Sequence, residues 1–452
     1  MNEDQEFNNL VEKKLNSVSC SFCLAKWKQV TLHLGTGHTH SCHHPRTHKI
    51  PLEEIKENPS ALHNTNYKKI QRKMMLEGTR PPECNYCWNV EDAIKAEGND
   101  VIKSDRIYKS GDSWARKYFY EIAESDWKDD VNPSYLEVSF SNVCNFKCGY
   151  CNPENSSKWM EEIKQFGAYP TRDNFNDLEW TKSQDKMPIP ENQDNPYVEA
   201  FWKWWPDLYK DLHTFRITGG EPLLNKNTFR VLDWLIENPQ PKLDLAVNSN
   251  LCVPKELLDK FLEKVNILIS SGHCRSFKLY TSNEAYGNKA EYIRFGLNYN
   301  DWLENCERFL QIPGRTKLVC MAAYNFLSIS SFKNLLEDIK FLKDKYTSEE
   351  TKERVAIDIP YLNNPKFLSI NLVTPEFKPY IEDSIQYAKN NNFAKWEVDK
   401  LERILMLANN AVTDDLLNVD FKKYIMEHDR RRNTNFLETF PEYKDFYESI
   451  SA

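Results

Sequence analysis

The chain has 452 residues, too many for one small hydrophobic core, so we expect two to four domains or a large barrel with additions. Apolar residues make up 40% and charged residues 28%, the composition of an ordinary soluble globular protein. A net charge of -8 excludes a global attraction to nucleic acid or to anionic membranes. No apolar run of about 18 residues and no secretory signal is present, which predicts a cytoplasmic protein.

The first 110 residues are rich in metal-binding side chains, with five of the twelve cysteines and seven of the ten histidines. In a cytoplasmic chain this density favours metal or redox chemistry over disulfides and predicts a small domain organised by metal. Residues 29–34 predict a short strand and residues 35–37 a hairpin turn. Cys23 and Cys42 would therefore lie on the two flanks of one hairpin.

A second cysteine pair, Cys84 and Cys87 in ECNYCW, supplies the other half of a four-thiolate site. Two cysteine pairs are typical of structural zinc and also of an iron–sulfur cluster, and both interpretations stay open at this point. Cys20 is a spare or alternative ligand. Nearby histidines are further alternatives to a cysteine ligand: His38, His40, His43 and His44.

The central motif of the chain is SFSNVCNFKCGYC, in which Cys144, Cys148 and Cys151 have the spacing CxxxCxxC. Three thiolates hold three irons of a [4Fe-4S] cube and leave the fourth iron open to a substrate or cofactor. The same spacing is compatible with a zinc knuckle that takes a distant fourth ligand. The motif therefore indicates a metal centre, with an open iron as the first interpretation.

Six β-rich segments separated by helical segments follow residue 134. They comprise residues 135–140, 214–218, 242–248, 277–282, 316–323 and 367–373. Strands that alternate with helices predict parallel βα units, here an α/β fold with a partial (β/α)6 barrel. Functional residues in such folds gather on loops after the carboxyl ends of strands, which is where the cysteine motif lies.

We predict three domains: a metal-cluster domain over residues 1–110, the barrel over residues 111–374 and a helical extension over residues 375–452. A polar and aromatic insertion at about 152–210 interrupts the barrel, and its polar part is expected to be irregular or a lid. The extension contains Arg430, Arg431 and Arg432. They are candidates to bind an anionic ligand, although a salt bridge or a solvated helix end is the expected arrangement.

A second element, TGGEPLL, follows the second predicted strand and contains Gly219, Gly220 and Glu221. Glycines let the backbone approach a ligand closely, and the carbonyls and carboxylate accept hydrogen bonds from an ammonium group. With CxxxCxxC and TGGEPLL in this order, the chain resembles the radical S-adenosylmethionine (SAM) superfamily over about 240 residues from Tyr135. The resemblance favours iron over zinc at the first motif.

The resemblance implies a ligand for the open iron. Cys144, Cys148 and Cys151 would bind the [4Fe-4S] cube, and its open iron would chelate the amino and carboxylate groups of SAM. Tyr150 would lie against the adenine, and the GGEP element would receive the methionine amino group.

Softer matches occur further along the chain. Asn248 and Asn250 correspond to a ribose contact, and Ser282 and Arg294 to the serine and the arginine that reaches the methionine carboxylate; Glu284 is a lesser candidate. Arginine suits a carboxylate because it donates two parallel hydrogen bonds.

The amino-terminal cysteines resemble the auxiliary-cluster modules called SPASM and twitch. By this resemblance Cys23, Cys42, Cys84 and Cys87 would hold a second [4Fe-4S] cluster. In better-known relatives the module follows the barrel, whereas here it precedes it. The remaining cysteines have no shared spacing and are expected to be buried structural thiols: Cys252, Cys274, Cys306 and Cys320.

The function implied is that of a radical SAM enzyme that forms a 5′-deoxyadenosyl radical and abstracts a hydrogen from an unactivated carbon. We expect an oxidative modification of a peptide or protein side chain, served by an external one-electron reductant of the flavodoxin or ferredoxin type. The alternatives are oxidation of a small metabolite (a sugar, aminocyclitol or nucleotide) and a non-enzymatic iron–sulfur or zinc binding protein. No membrane partner and no clear nucleic-acid surface are predicted.

Overall fold

The computed structural model describes residues 3–97, 102–347, 353–412 and 414–451. These residues group into two compact units. The amino-terminal unit comprises Met1–Ser141, Ile189–Thr218 and Lys242–Leu245, and the carboxy-terminal unit comprises Asn142–Pro188, Gly219–Pro241 and Ala246–Ala452. The predicted domain boundaries at residues 110 and 374 stay predictions.

The strands within the described residues are β1 (Gln29–His33), β2 (His38–His40), β3 (His48–Lys49), β4 (Tyr135–Ser139), β5 (Lys147–Cys148), β6 (Thr214–Thr218), β7 (Gln240–Ser249), β8 (Cys274–Ser282), β9 (Arg294–Phe295), β10 (Thr316–Met321) and β11 (Val355–Asp358).

The helices up to the second half of the chain are α1 (Glu3–Asn16), α2 (Ala25–Lys28), α3 (Leu52–Glu57), α4 (Asn66–Leu76), α5 (Asn85–Glu97), α6 (Asp105–Gly111), α7 (Ser113–Arg116), α8 (Phe119–Ala123), α9 (Ser157–Phe166), α10 (Leu178–Ser183), α11 (Pro196–Asp211) and α12 (Lys226–Glu237). The later helices are α13 (Lys255–Ser270), α14 (Gly287–Ile293), α15 (Tyr299–Leu310), α16 (Phe332–Tyr346), α17 (Lys378–Asn390), α18 (Lys395–Asn409), α19 (Asp415–Arg432), α20 (Phe436–Thr439) and α21 (Lys444–Ser449).

The sheet of the amino-terminal unit has the order β6-β4-β1-β2-β3. β1 and β6 both run parallel to β4, with Leu136 level with Val30 on one side and with Phe215 on the other. β1 and β2 form the predicted hairpin, in which His33 lies opposite His38. The hairpin strand therefore extends the sheet that begins the predicted barrel.

The core of the amino-terminal unit is apolar and contains part of the predicted metal site. Phe22 and Trp27 are fully buried, and their rings lie 5.3 Å apart. Each such side chain contributes roughly 1.5–3 kcal/mol by burial. Cys84 and Cys87 belong to the same hydrophobic cluster. Two of the candidate ligand cysteines are thus held in a packed interior.

In the carboxy-terminal unit, β8, β10 and β11 are parallel neighbours. Leu318 of β10 lies level with Leu279 of β8 and with Val355 of β11. Helices separate these strands along the chain, which confirms the predicted α/β class with parallel strands. Strand β7 contributes residues to both units.

The sixth predicted strand, residues 367–373, is wrong. This segment forms two short 3-10 turns, Lys366–Leu368 and Ile370–Leu372. The strand that follows β10 is β11 instead. The Ser369 hydroxyl accepts a hydrogen bond from the backbone N–H of Asn371, a local bond that competes with strand formation. Phe367, Leu368, Ile370 and Leu372 are all buried, so the apolar run reflects packing rather than strand pairing.

The insertion at residues 152–210 contains helices α9, α10 and most of α11. α10 lies inside the polar stretch that was expected to be irregular. On α11 the aromatic residues form a buried face, since Phe201, Trp205 and Leu208 are fully buried. After β11 the described chain is helical to its end, as expected for residues 375–452. None of the helices in the described ranges has the length and apolar character needed to cross a membrane.

The packing of Gly37 in the hairpin turn can be tested by substitution. Its φ is +69°, and a Cβ atom there would overlap the ring of Tyr197, which is itself buried. We expect Gly37→Ala to lower the free energy of unfolding by about 2–4 kcal/mol, from the left-handed backbone and the clash together.

The matched control is Gly272→Ala, because Gly272 has a similar φ of +67° with open space around it. Thermal unfolding should show the larger loss for Gly37→Ala. Equal losses would mean that the Tyr197 contact does not constrain the turn.

Candidate functional site

The cysteine motif occupies a loop that is pinned by a short strand pair. β5 within the motif pairs antiparallel with β9, so that Cys148 lies opposite Arg294. The backbone N–H of Cys151 donates to the carbonyl of Cys148 at 2.9 Å, and that of Gly149 donates to Ile293 at 2.7 Å. Cys148 is buried, and Cys144 and Cys151 are half-buried. The loop is therefore fixed on both sides of its central cysteine.

The three motif thiols lie within electrostatic reach of one another. Burial raises the pKa of Cys144 to about 12, and Cys148 contributes to the rise. Burial also raises the pKa of Cys151 well above its usual value, with Cys148 and Cys144 adding to it. The raised pKa values keep these thiols protonated at neutral pH, so a metal that they bound would displace their protons.

Arg294 lies beside the central cysteine. Its Nη1 donates to the sulfur of Cys148 at 3.2 Å, and its Nε donates to Oε2 of Glu284 at 3.2 Å. The Tyr150 hydroxyl donates to the same carboxylate oxygen at 2.8 Å, and the Arg294 guanidinium lies 5.7 Å from the Tyr150 ring centre. Burial raises the pKa of Cys148, and the charge of Arg294 opposes that rise. The structure thus brings together four residues that the sequence placed in the site.

Two of these contacts differ from the roles that the resemblance implied. Arg294 was expected to reach the methionine carboxylate, and here it is engaged with Glu284 and Cys148. Among the residues that the structure describes, none is a hydrogen-bond partner of Glu284 Oε1, although Glu284 is fully buried. A buried acceptor in this state is available to a ligand donor.

The GGEP element packs directly against the start of the cysteine loop. Gly219 has a φ of +134°, in the region that favours glycine. At Gly220 a Cβ atom would overlap the carbonyl of Val143 and lie 2.7 Å from the backbone carbon of Asn142. The backbone N–H of Glu221 donates to the Val143 carbonyl at 2.7 Å. Glycine is therefore required here by contact with the motif backbone.

Both oxygens of the Glu221 carboxylate accept hydrogen bonds from groups of the protein. Oε1 accepts from the backbone N–H of Leu223 at 3.0 Å and from the hydroxyl of Ser249 at 2.8 Å. Oε2 accepts from the backbone N–H of Asn250 at 2.7 Å. Burial raises the pKa of Glu221 to about 7, against the effect of these donors. This carboxylate joins the GGEP loop to the end of β7.

The predicted ribose residues lie at that same end of β7. The Asn250 amide donates to Oδ1 of Asn145 at 2.8 Å and accepts from the N–H of Cys252 at 2.9 Å, so its polar groups bind the cysteine loop and its own turn. Asn248 is half-buried and is the second-last residue of strand β7. Ser282, the last residue of β8, lies level with Met321 of β10. Their contacts with SAM stay predictions.

Sequence reasoning missed several residues that hold the site. Asn145 lies inside the motif but carries no family signal, and Ser249 was passed over between two asparagines. Trp159, whose Nε1 donates to the Cys148 carbonyl at 2.9 Å, follows the motif on α9 without a recognisable spacing. A buried tryptophan soon after a metal motif is compatible with any packed core, so no sequence signal identified it.

The four amino-terminal cysteines converge on one cavity in the amino-terminal unit. Cys23 precedes α2, Cys42 follows β2, and Cys84 and Cys87 lie where α5 begins. All four line the same largely apolar cavity. Cys20 is exposed, does not line the cavity, and its thiol lies 3.4 Å from the carbonyl of Gly78. The structure therefore brings together the two predicted cysteine pairs, which together span more than 60 positions of the sequence.

These four thiols also share an electrostatic environment. Burial raises the pKa of Cys23, and Cys42 adds to the rise. Burial raises the pKa of Cys84 to about 12, and Lys26, on the cavity wall, opposes it. Lys26 is itself paired with Glu83. A buried cation at this wall suits a cluster of thiolates, which carries negative charge.

Of the predicted histidine alternatives, one lines the cavity. His44 does so, but its Nε2 is bound to Oδ2 of Asp105 at 2.7 Å. Nδ1 of His38 lies 3.0 Å from the Thr36 carbonyl, and Nδ1 of His40 contacts the Cys42 carbonyl. Burial lowers the pKa of His43 to about 4, so its ring is neutral.

Both cysteine sets supply thiol donors of the kind that iron–sulfur clusters use: three at the motif and four at the cavity. Across the parts of the chain that the structure describes, no group of three or more His, Cys, Asp and Glu side chains is arranged to hold a single metal ion. Of the other cysteines, Cys274, Cys306 and Cys320 are buried as predicted and Cys252 is half-buried.

Comparisons with known proteins add family evidence. No protein-family model matches the chain. The GTP 3',8-cyclase of Alkaliphilus metalliredigens is 23% identical over 252 residues, covering 51% of this chain and 66% of that protein. The GTP 3',8-cyclases of Sulfurovum sp. and Aliarcobacter butzleri are 26% and 29% identical over 141 and 144 residues, each covering 30% of this chain and 34% of theirs. The chain thus spans from about a third to two thirds of these curated relatives.

Solved structures give weaker similarity. Streptococcus suis SuiB bound to S-adenosylmethionine is 13% identical, with a TM-score of 0.37 over 81% of this chain and 71% of that chain. Another crystal structure of SuiB is 12% identical, with a TM-score of 0.37 over 86% of this chain and 74% of that chain. Scores at this level carry no weight for the fold of this chain.

The contact at Gly220 predicts a specific effect on the cysteine loop. Because a methyl group there would displace the Val143 carbonyl, we expect Gly220→Ala to lose about four irons per chain after anaerobic reconstitution, the content of one cube. Iron analysis with circular dichroism measures this. Gly167→Ala, where nothing lies within 4 Å, is the control. Full iron content in Gly220→Ala would contradict the tight approach.

Cys144, Cys148 and Cys151 lie in one pinned loop, and the GGEP element packs against the start of that loop. The curated relatives that match the chain are named GTP 3',8-cyclase. In both motifs and in their order, the chain resembles the radical S-adenosylmethionine superfamily.

Proposed function

We propose that this protein is a radical SAM enzyme in which Cys144, Cys148 and Cys151 hold a [4Fe-4S] cluster with one iron open to SAM. The observation that carries the proposal is the contact of the GGEP backbone with the start of the cysteine loop. When bound, such a cluster supplies one electron to SAM, whose cleavage gives methionine and a 5′-deoxyadenosyl radical that takes hydrogen from an unreactive carbon.

The chain's own residues have definable tasks in this scheme. Arg294 places a positive charge at the sulfur of Cys148, which stabilises the thiolate as a ligand. Glu284 holds Arg294 and Tyr150 in place, and its Oε1, which has no partner among the described residues, is left to accept from a ligand donor. Glu221 holds the GGEP loop against the end of β7, so the carbonyls of that loop are positioned to accept from an ammonium group.

The four-cysteine cavity supports a second [4Fe-4S] cluster, resembling that of a twitch or SPASM module. Four thiolates supply one ligand for each iron, so no iron is left open for a substrate. Such a cluster is suited to accept an electron from a substrate radical, which makes the net reaction an oxidation. The alternative occupant is structural zinc, which also takes four thiolates.

We propose a peptide or protein side chain as the substrate, with an external one-electron reductant of the flavodoxin or ferredoxin type. A second candidate is a nucleotide, because the curated relatives are named for a reaction of GTP. Both substrate classes need the same radical-forming residues, so the site described above serves either.

The central test is the cleavage of SAM. Anaerobic reconstituted protein, reduced with dithionite and given SAM, should form 5′-deoxyadenosine, measured by liquid chromatography. Cys144→Ala should form none, because two thiolates leave the cluster without its third ligand. Cys20→Ala, which changes an exposed thiol outside both sites, should retain wild-type activity. A fully reconstituted wild type that forms no product would refute the proposal.

Iron and zinc analysis tests the second cluster. The wild type should contain about eight irons per chain, as two cubes of four, and Cys84→Ser should contain about four. About four irons and one zinc in the wild type would instead identify the amino-terminal site as structural zinc.

The two substrate classes are distinguished by the rate of 5′-deoxyadenosine formation in the presence of each candidate substrate. GTP should leave the basal rate unchanged if a peptide is the substrate, whereas a peptide encoded beside the gene should accelerate it and gain a mass change. A GTP-dependent acceleration would favour the nucleotide.

A further inference from the structure

The carboxy-terminal arginines that the sequence could not distinguish occupy different environments. The Arg430 side chain is 55% exposed and pairs with Glu427 at 2.8 Å. Arg431 pairs with Glu427 and donates to the carbonyls of Gly167 and Ala168. The Arg432 side chain is fully buried. A buried arginine at the end of a long helix needs specific partners.

Arg432 donates hydrogen bonds to the cysteine motif and to a carboxylate on α9, the helix that follows the motif. Its Nη1 donates to the carbonyl of Lys147, the residue before Cys148, at 2.8 Å. Its Nε and Nη2 donate to the two oxygens of Glu162 at 3.1 and 3.2 Å. Although burial raises the pKa of Glu162, the charge of Arg432 lowers it to about 2, so this carboxylate is ionised.

The guanidinium of Arg432 also lies among aromatic rings that border the motif. It is 4.7 Å from the ring of Trp159 and 5.4 Å from the ring of Phe295. Trp159 donates its indole N–H to the Cys148 carbonyl, and Phe295 belongs to the strand that pairs with β5. Arg432 therefore contacts the carbonyl before Cys148 directly and supports the tryptophan that holds the carbonyl after it.

These contacts require an arginine. One planar guanidinium donates in two directions here, to a carboxylate by two parallel bonds and to a backbone carbonyl, while its faces pack on aromatic rings. A lysine ammonium has three donors at a single point and lacks the planar face. A neutral side chain leaves the buried Glu162 charge with Lys147 as its remaining cation.

We propose that Arg432 is a positioning residue for the motif cluster: it fixes the Lys147–Cys148 peptide so that the thiol of Cys148 binds its iron and the open iron is presented to SAM. The proposal rests on the proposed function above. It gives the helical extension a role in the chemistry, since a residue 284 positions from Cys148 holds that cysteine's backbone. Residues that orient metal ligands typically change metal affinity or activity 10–100-fold when replaced.

The test compares Arg432→Gln and Arg432→Lys with Arg430→Gln as the exposed control from the same cluster. Each full-length protein is reconstituted anaerobically and reduced with dithionite, and SAM is titrated while its effect on the low-temperature electron paramagnetic resonance spectrum is followed. Only a cluster with an open iron responds to SAM. Iron content and the thermal midpoint are measured in parallel.

We expect Arg432→Gln to weaken the SAM response at least about 10-fold, or to lose it together with about four irons, while the amino-terminal cluster keeps its signal. Arg432→Lys should recover part of the response, and Arg430→Gln should match the wild type. A wild-type response in Arg432→Gln would overturn the proposal. So would a lowered thermal midpoint in Arg432→Gln with unchanged SAM affinity, because that is the result of a merely structural role.

A further variant and a wild-type control complete the test. If Arg432→Gln does not fold, Glu162→Gln removes the same ion pair from the other side, and a wild-type SAM affinity in both Glu162→Gln and Arg432→Lys would refute the role. If the wild type itself shows no spectral response to SAM, the proposed function fails rather than the positioning role.

Discussion

The burial of the motif thiols is the constraint on which the carboxy-terminal unit depends. A thiol in a low-dielectric interior keeps its proton, as the raised pKa of Cys144 and Cys151 indicates. It would become a ligand when a metal displaces that proton, and nearby positive charge assists by stabilising the thiolate. The chain meets this requirement with backbone contacts that fix the loop and with a cation at Cys148. Arg294 supplies that charge.

The same constraint explains why three distant segments converge on one loop. The GGEP element approaches so closely that a Cβ atom at Gly220 has no room, β9 pairs with the motif, and α19 reaches it through Arg432. These three contacts restrict the peptide groups around the cysteines, and Arg294 of β9 contacts the sulfur of Cys148 as well. Ligand geometry is set in this way before any metal binds, which lowers the cost of ordering the site.

The amino-terminal unit brings its cysteines together by hydrophobic packing. Its four thiols come from two sequence pairs and meet at an apolar cavity, where hydrophobic packing around Trp27 and Trp88 holds the segments together. Lys26 is buried at the same wall and paired with Glu83.

Much of the architecture follows from local pattern. The hairpin at residues 29–40, five of the six predicted strands and the helical extension were predictable because alternation of apolar residues and turn glycines act over a few positions. The sixth strand was missed because β11 has four residues, and the longer apolar run at residues 367–373 is buried without pairing. Burial and strand pairing leave the same apolar signal in sequence.

The sequence by itself identified the candidate residues: the spacing of Cys144, Cys148 and Cys151, the glycines of the GGEP element and the two amino-terminal cysteine pairs are local patterns that only a few kinds of site require. The tertiary structure alone decided which polar groups those patterns meet. That Glu221 binds the end of β7, and that Arg432 rather than Arg430 reaches the motif, depends on contacts between segments far apart in the chain. Such contacts leave no periodicity or spacing behind, because the energy that selects them arises only when the chain is folded.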